Sequence, residues 1–292
     1  MNLTITGYST ALFSSWYFIE ELGLLFDVGD GITSALLQKS RKINHVFVSH
    51  ADRDHLTGLH QFNQLNAREG FPIIHFPKDC GSFYAIENFS KKFDPHVSGT
   101  IWKPIIAGDK TWIRDDLYVE AKKNNHVPAA EGIHKSFGYK VVLVKKKLKP
   151  ELISLPQNEI VKIIREQGKE NTLVEVLTTL FCYSGDTPAE NFDNWHNSEI
   201  LIHEATFLGG DGDAKIHTHG NKHSTLEDVI KGVSTISINK LILGHFSSRY
   251  SDEQIDDKIK YLCKEYALNF PVYRVLPGRT IKDILNQEPV HN

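Results

Sequence analysis

The reading of this chain turns on the stretch Phe47–Leu59, FVSHADRDHLTGL. A short apolar run ends at His50, and Asp52, Asp54 and His55 follow before an apolar, helix-spaced segment begins. Imidazole and carboxylate together are donors for Zn²⁺ or Mn²⁺. A lone histidine after a strand is ordinarily a surface or hydrogen-bonded residue, so the weight rests on whether the chain supplies partners. It does: His126, Asp186, His203, His223 and His245 are read at the ends of further strands. Two such ions need about seven or eight protein donors. A shared carboxylate would hold them roughly 3.5–4 Å apart, with a hydroxide between them.

Working outward, LTITGY, SSWYFIE and LGLLFDVG read as strands, GITSALLQKSRK as a helix and INHVFVSH as a buried strand ending at His50. DHLTGLHQFNQLNAREG reads as one helix with Leu56, Leu59, Phe62 and Leu65 on a common face, and FPIIHFP as the next strand. LYVEAKKNNH reads as a strand ending at His126, and SFGYKVVLV as its successor. A helix from about Asn158 to Gln167 stops at Gly168. TLFCYSGD, EILIHEATF, the helix STLEDVIKGVSTIS, KLILGHF, a helix from Asp252 to Tyr266 and FPVYRVL complete the alternation. Alternating strands and helices in both halves predict an α/β sandwich, sheets inside and helices outside. The polar chemistry gathers at strand ends, where loops bring it to one edge.

Composition excludes several classes. The 292 residues are 40% hydrophobic and 24% charged, with no apolar run of membrane-spanning length. MNLTITGYSTALFSSWYF has no basic leader, and Cys80, Cys182 and Cys263 show no CxxC spacing. A reducing, cytoplasmic setting and no membrane partner are expected. The net charge of −3 gives no global pull on a polyanion. VKKKLKP, with Lys145, Lys146, Lys147 and Lys149, is the conspicuous basic run, open to reading as a solvated strand end or as a phosphate contact. Fifteen histidines are many for this length.

SHADRDHLTGL, NNHVP, FGYKVV, YSGDT, HEATF, KHST and GHFSSRY together resemble the motifs of the metallo-β-lactamase superfamily, and within it the short form of the ribonuclease Z branch, whose members cut the 3′ trailer from tRNA precursors. HEATF, HST and HFSSRY in combination are specific to that branch. The resemblance implies a single hydrolase domain over residues 1–292, an αββα sandwich of two mixed sheets flanked by helices. It implies two divalent ions, zinc first with Mn or Fe as alternatives. His50 and His126 would hold one, with Asp52 standing where the family has a further histidine ligand, Asp54, His55 and His245 would hold the other, and Asp186 would bridge. Asp54 would take the proton of the attacking water, and Glu204 and His223 would orient and protonate the departing oxygen. Lys145, Lys146, Lys147 and Arg249 are the candidate substrate contacts, with precursor tRNA as substrate and a homodimer as the working form. Asp27 falls where the superfamily has an aspartate that steadies the first motif.

Three points stay open on residues alone. The family segment HxHxDH has a histidine where this chain has Asp52, so Asp52 ligates, or the first position is weak, or the fold is a binding module. His134 competes with His126 as the isolated ligand, whereas His203, His217 and His219 read as packing or loop residues. Residues 143–179 lack the Gly-Pro signature of a tRNA-gripping arm, so the arm is expected to be absent or reduced, and a small phosphodiester such as a cyclic nucleotide is the rival substrate.

Overall fold

The computed structural model describes residues 2–209 and 220–292. Strands β1 (Ile5–Thr10), β2 (Ser14–Ile19) and β3 (Leu24–Phe26) form an antiparallel meander. Helix α1 (Ile32–Leu36) leads to β4 (His45–Phe47), helices α2 (Arg53–Leu56) and α3 (Leu59–Asn66) to β5 (Ile73–Pro77), and α4 (Gly81–Phe93) to β6 (Ile101–Ile105). The six strands lie side by side in chain order, parallel from β3 onward. Parallel neighbours need crossovers, which is why helices cover this sheet's outer face.

The second sheet begins with β7 (Lys110–Arg114), β8 (Leu117–Lys123) and β9 (Phe137–Leu148), passes through α5 (Pro150–Ile153) and α6 (Gln157–Gln167), and returns as β10 (Leu173–Tyr183). Strand β11 (Leu201–Glu204), helix α7 (Leu226–Val233), β12 (Leu241–Gly244), helix α8 (Asp252–Glu265) and β13 (Val272–Arg274) follow. Its seven strands run in order β13 to β7, parallel from β10 to β13 and antiparallel from β7 to β10. The result is the expected pair of mixed sheets flanked by helices.

A period of two along the strands builds three cores. Tyr17, Ile19, Leu24, Phe26 and Phe47 of the first sheet face Tyr139, Val141, Phe181, Ile202 and Ile242 of the second. Phe26 lies within 5.1–5.8 Å of the rings of Phe47, Tyr139, Phe181 and Tyr183. The alternate residues Trp16, Phe18, Leu25 and Val46 point outward beneath α1 and α3. Leu201, Leu241 and Leu243 do the same beneath α7 and α8, against Val229, Ile230, Ile255 and Ile259. Each such side chain, fully buried, contributes roughly 1.5–3 kcal/mol from burial.

Several sequence expectations are corrected in detail. The single helix read over DHLTGLHQFNQLNAREG breaks at Gly58, whose N–H donates to Val28 O and whose Cβ, if present, would stand 2.2 Å from Gly29 O. Leu65, expected on the buried face, is therefore exposed. GITSALLQKSRK ends its α-helix at Leu36 and continues as a tighter 3-10 segment from Leu37, which has φ 48°. The strand before His126 ends at Lys123, and β9 runs further than SFGYKVVLV, taking in Lys145–Lys147. Helix α4 and strands β6 and β7 were not read from sequence. In 143–179, past Leu143, β9 pairs only with β10, making a two-stranded ribbon carrying α5 and α6. Among the described residues no helix is long and apolar enough to cross a membrane.

Candidate metal centre

The chemistry lies where β3, β4, β8, β10, β11 and β12 end. Asp27 follows Phe26, His50 stands three residues beyond Phe47, His126 three beyond Lys123 and Asp186 three beyond Tyr183. Glu204 closes β11 and His245 follows β12. Asp54 and His55 sit on the one-turn helix α2. Close backbone approach requires glycine here: a Cβ on Gly29 would stand 2.3 Å from Ser14 Oγ and 2.5 Å from Asp54 O. Gly185, at φ 59°, carries the chain past Ser49 so that Asp186 enters the centre.

Two donor groups result. Asp54, His55, Asp186 and His245 form one, all buried; His50, Asp52 and His126 form the other. In the first, Asp186 Oδ2 is 3.1 Å from His55 Nε2 and 3.2 Å from His245 Nε2, and Asp54 Oδ2 is 3.3 Å from His245 Nε2. In the second, Asp52 Oδ2 is 3.4 Å from His126 Nε2 and 3.6 Å from His50 Nε2. Asp186 reaches across to His50 Nε2 at 3.8 Å.

Every ring has its far nitrogen pinned. His50 Nδ1 bonds Ser49 Oγ at 2.8 Å, His55 Nδ1 bonds Asp27 Oδ2 at 2.7 Å, and His126 Nδ1 bonds Lys222 O at 2.6 Å. His245 Nδ1 donates to Thr206 Oγ1 at 2.9 Å, whose own proton goes to Glu204 Oε2. Each ring thus turns Nε2 to the centre, the arrangement in which outer partners orient metal ligands. His50 Nε2 is buried and has no hydrogen-bond partner. A buried nitrogen is left unpaired only at cost, and here it faces carboxylates across a gap a cation would fill.

The electrostatics agree. Burial alone would raise Asp186 and Asp54, but the surrounding imidazoles outweigh it, holding Asp186 well below the carboxylate range and Asp54 at about 2. Burial likewise opposes ionisation of Asp52, yet the adjacent imidazoles of His126 and His50 hold it low. His50 is pushed down by burial and by the neighbouring His55 and His126, so it stays neutral. His55 would be lowered by burial, but Asp186 and Asp27 raise it, and the same negative field would meet a divalent cation. Ionised carboxylates around imidazole nitrogens form a divalent-metal donor set.

Other sequence candidates find definite places. His126 joins the centre, whereas His134 lies apart, its backbone N–H on Asp79 and its Nδ1 accepting from Ala107 N. Glu204 and His223 meet at 3.1 Å, and Glu204 also accepts from Thr187 N, Thr206 N and Thr206 Oγ1. Burial would lower His223, but Glu204 raises it to about 9. His203 bonds Glu204 O through Nδ1 and stacks on Phe192, a packing role. His217 and His219 lie outside the described residues. Arg249 is exposed at this edge, its guanidinium over Phe207, a ring 6.4 Å from that of His223. Lys145, Lys146 and Lys147 are not brought to the centre. They stand six to eight positions beyond Tyr139 on β9, roughly 20–27 Å along the strand, and Lys146 is paired with Glu170.

Three residues that sequence reasoning did not single out complete the site. Asn221 donates to Asp52 Oδ2 at 2.6 Å, Tyr183 OH to Asp27 Oδ2 at 2.5 Å, and Leu12 N to Asp54 Oδ2 at 2.9 Å. Tyr183 opens YSGDT, where Asp186 carries the chemical signature, and Leu12 and Asn221 lie outside the motifs altogether.

No family model matches the chain. It is 31% identical over 277 residues to ribonuclease Z of Methanocaldococcus jannaschii, an alignment covering 85% of this chain and 84% of that protein. This chain belongs to the ribonuclease Z family. A tRNase Z of Arabidopsis thaliana is 27% identical over 269 residues, covered to 89% in both proteins. Human tRNase Z, short form, shares the fold at TM-score 0.62 and 18% identity, over 96% of this chain and 99% of that one. A metallo-β-lactamase fold protein of Bacillus subtilis does so at TM-score 0.63 and 14% identity, over 96% and 100%. The ribonuclease Z assignment thus rests on sequence, and the metallo-β-lactamase fold on structure.

Proposed function

We propose that this protein is a metal-dependent phosphodiesterase that removes the 3′ trailer of tRNA precursors. The observation that carries the reading is the convergence of four Nε2 atoms and three carboxylates at one edge, each imidazole pinned from behind. His50, Asp52 and His126 would hold one divalent ion, Asp54, His55 and His245 a second, and Asp186 both; zinc is the first choice, with manganese or iron as alternatives. When bound, such ions supply charge neutralisation at the phosphoryl oxygens and acidify water.

The chain's own residues divide the proton work. Asp54, held ionised at about 2, is the acceptor for the proton of the attacking water. His223 is the donor to the departing oxygen: Glu204 holds its Nδ1 at 3.1 Å and keeps it protonated, and its side chain is 21% exposed, within reach of a bound strand. Arg249 lies where it can meet a flanking phosphate. The Lys145–Lys147 ribbon stands too far off for the scissile group and suits the body of a folded tRNA. A cytoplasmic homodimer is the working form on family resemblance.

Cleavage of a 3′-extended precursor tRNA tests the reading. Cutting at the mature end, lost on chelation, restored by divalent metal and lost in Asp186→Ala, is the expected result. Cleavage that survives full metal removal, or hydrolysis of a cyclic nucleotide with the precursor left whole, would overturn it.

A further inference from the structure

The two donor groups match each other residue type for residue type. The second offers two imidazoles, His55 and His245, and one carboxylate of its own, Asp54; the first offers His50, His126 and Asp52. Asp186 reaches both, at 3.1 Å from His55, 3.2 Å from His245 and 3.8 Å from His50. Each private carboxylate is steadied by one N–H from outside its group, Leu12 N on Asp54 and Asn221 Nδ2 on Asp52.

Asp52 also declines its default role. It stands at the N-cap of α2 with extended backbone angles, where aspartate ordinarily accepts from the helix's first free N–H groups. Its side chain makes no cap bond and turns instead to His126 and His50. The buried, unpartnered Nε2 of His50 points into the same space.

A histidine at position 52 would make the first position richer in nitrogen than the second. A carboxylate adds a hard oxygen and a negative charge, the donor that suits Mn²⁺. Aspartate is shorter than histidine, so its placement depends on what holds it, and Asn221 is the residue that does.

We propose that Asp52 makes the two metal positions equivalent in donor type, with Asn221 as the positioning residue that fixes its carboxylate, so that the centre accepts Mn²⁺ at both. This rests on the metal-dependent hydrolase reading. The positions still differ in exposure, the Asp52 side chain being 40% exposed and that of Asp54 8%. The first position is therefore the more easily emptied, and loss of Asn221 touches it alone.

The test titrates metal-stripped, full-length protein with MnCl₂ or ZnCl₂, counts bound ions by equilibrium dialysis and elemental analysis, and records the Mn²⁺ paramagnetic resonance spectrum. Wild type is expected to bind two Mn²⁺ with an exchange-coupled spectrum. Asn221→Ala, at an exposed position whose loss leaves the fold intact, is expected to keep one Mn²⁺ at wild-type affinity and weaken the other by about 10–100-fold. Asp52→His should hold two Zn²⁺ but only one Mn²⁺ tightly, with the coupling lost. One uncoupled Mn²⁺ in wild type, or unchanged affinities in Asn221→Ala, would overturn the proposal. Two coupled ions in a protein that leaves precursor tRNA uncut would instead overturn the functional reading and leave this one standing.

Discussion

Replacing Asp27 by asparagine removes a charge from a buried carboxylate that accepts four hydrogen bonds. Its two oxygens accept from Ser49 N at 2.6 Å, Ser49 Oγ at 2.8 Å, His55 Nδ1 at 2.7 Å and Tyr183 OH at 2.5 Å. It is fully buried and sits at φ 58°, a left-handed conformation asparagine adopts as readily, so the backbone is not perturbed. Three donors fall on Oδ2 and one on Oδ1. The amide will therefore keep its oxygen at the crowded position and turn NH₂ toward Ser49 N–H. Three retained bonds drop from charged to neutral strength, about 1 kcal/mol each, and the stranded N–H costs about 1–3 kcal/mol more. Relief of the buried charge offsets part of this, leaving a loss of about 3–5 kcal/mol from a stability of order 5–15 kcal/mol. Urea unfolding of metal-stripped wild type and Asp27→Asn, followed by circular dichroism, measures it. With Ser49 and His55 less firmly held, metal affinity should also fall about 10–100-fold. A variant within 1 kcal/mol of wild type, with unchanged metal affinity, would refute the view that Asp27 organises the centre.

Away from the centre, His45 is pushed down from 6.5 to about 4 by burial and then by the charge of Lys103, with His75 lowered beside it. Only the unfolded chain binds this proton between those values, so stability is complete above about pH 6.5 and falls toward pH 4. At pH 5 the His45 share is about 2 kcal/mol, and His45→Phe should shrink the pH 7 to pH 5 drop in unfolding free energy by that amount; an unchanged drop would remove His45 as the cause. Gly232→Ala should destabilise by about 1–2 kcal/mol despite alanine's better helix propensity. Its Cβ would stand 2.0 Å from the Phe192 ring, which stacks on His203 and would have to shift, so a rise in melting temperature would contradict this packing. Ser251→Ala removes the capping box of α8 and should cost about 1 kcal/mol by thermal unfolding.

Much of the site was legible because its ligands sit in local patterns. His50, Asp54, His55, Asp186 and His245 each lie in a short motif at a strand end, and their chemistry follows from residue type. The alternation of Tyr17 and Ile19 with Trp16 and Phe18 on β2 reads as a strand with two buried faces. What escaped was set by distant contacts. The break at Gly58 arises from the Gly29 loop pressing against it, and no feature of the segment marks that neighbour. Strand β9 continues through the lysine run, which sequence alone reads as a strand end, because β10 supplies its hydrogen bonds.

The amino-acid order by itself determined the α/β class and the donor types, since apolar periodicity and ligand spacing are properties of neighbouring residues, and its motifs carried the family resemblance. Only the tertiary structure placed His126 rather than His134 among the clustered donors, turned the Asp52 carboxylate toward His126 and His50, and brought Asn221 to it across 169 residues. The same holds for the four donors on Asp27. Hydrogen bonds act over about 3 Å, and which polar groups come that close is settled by how two sheets pack, which no local pattern records.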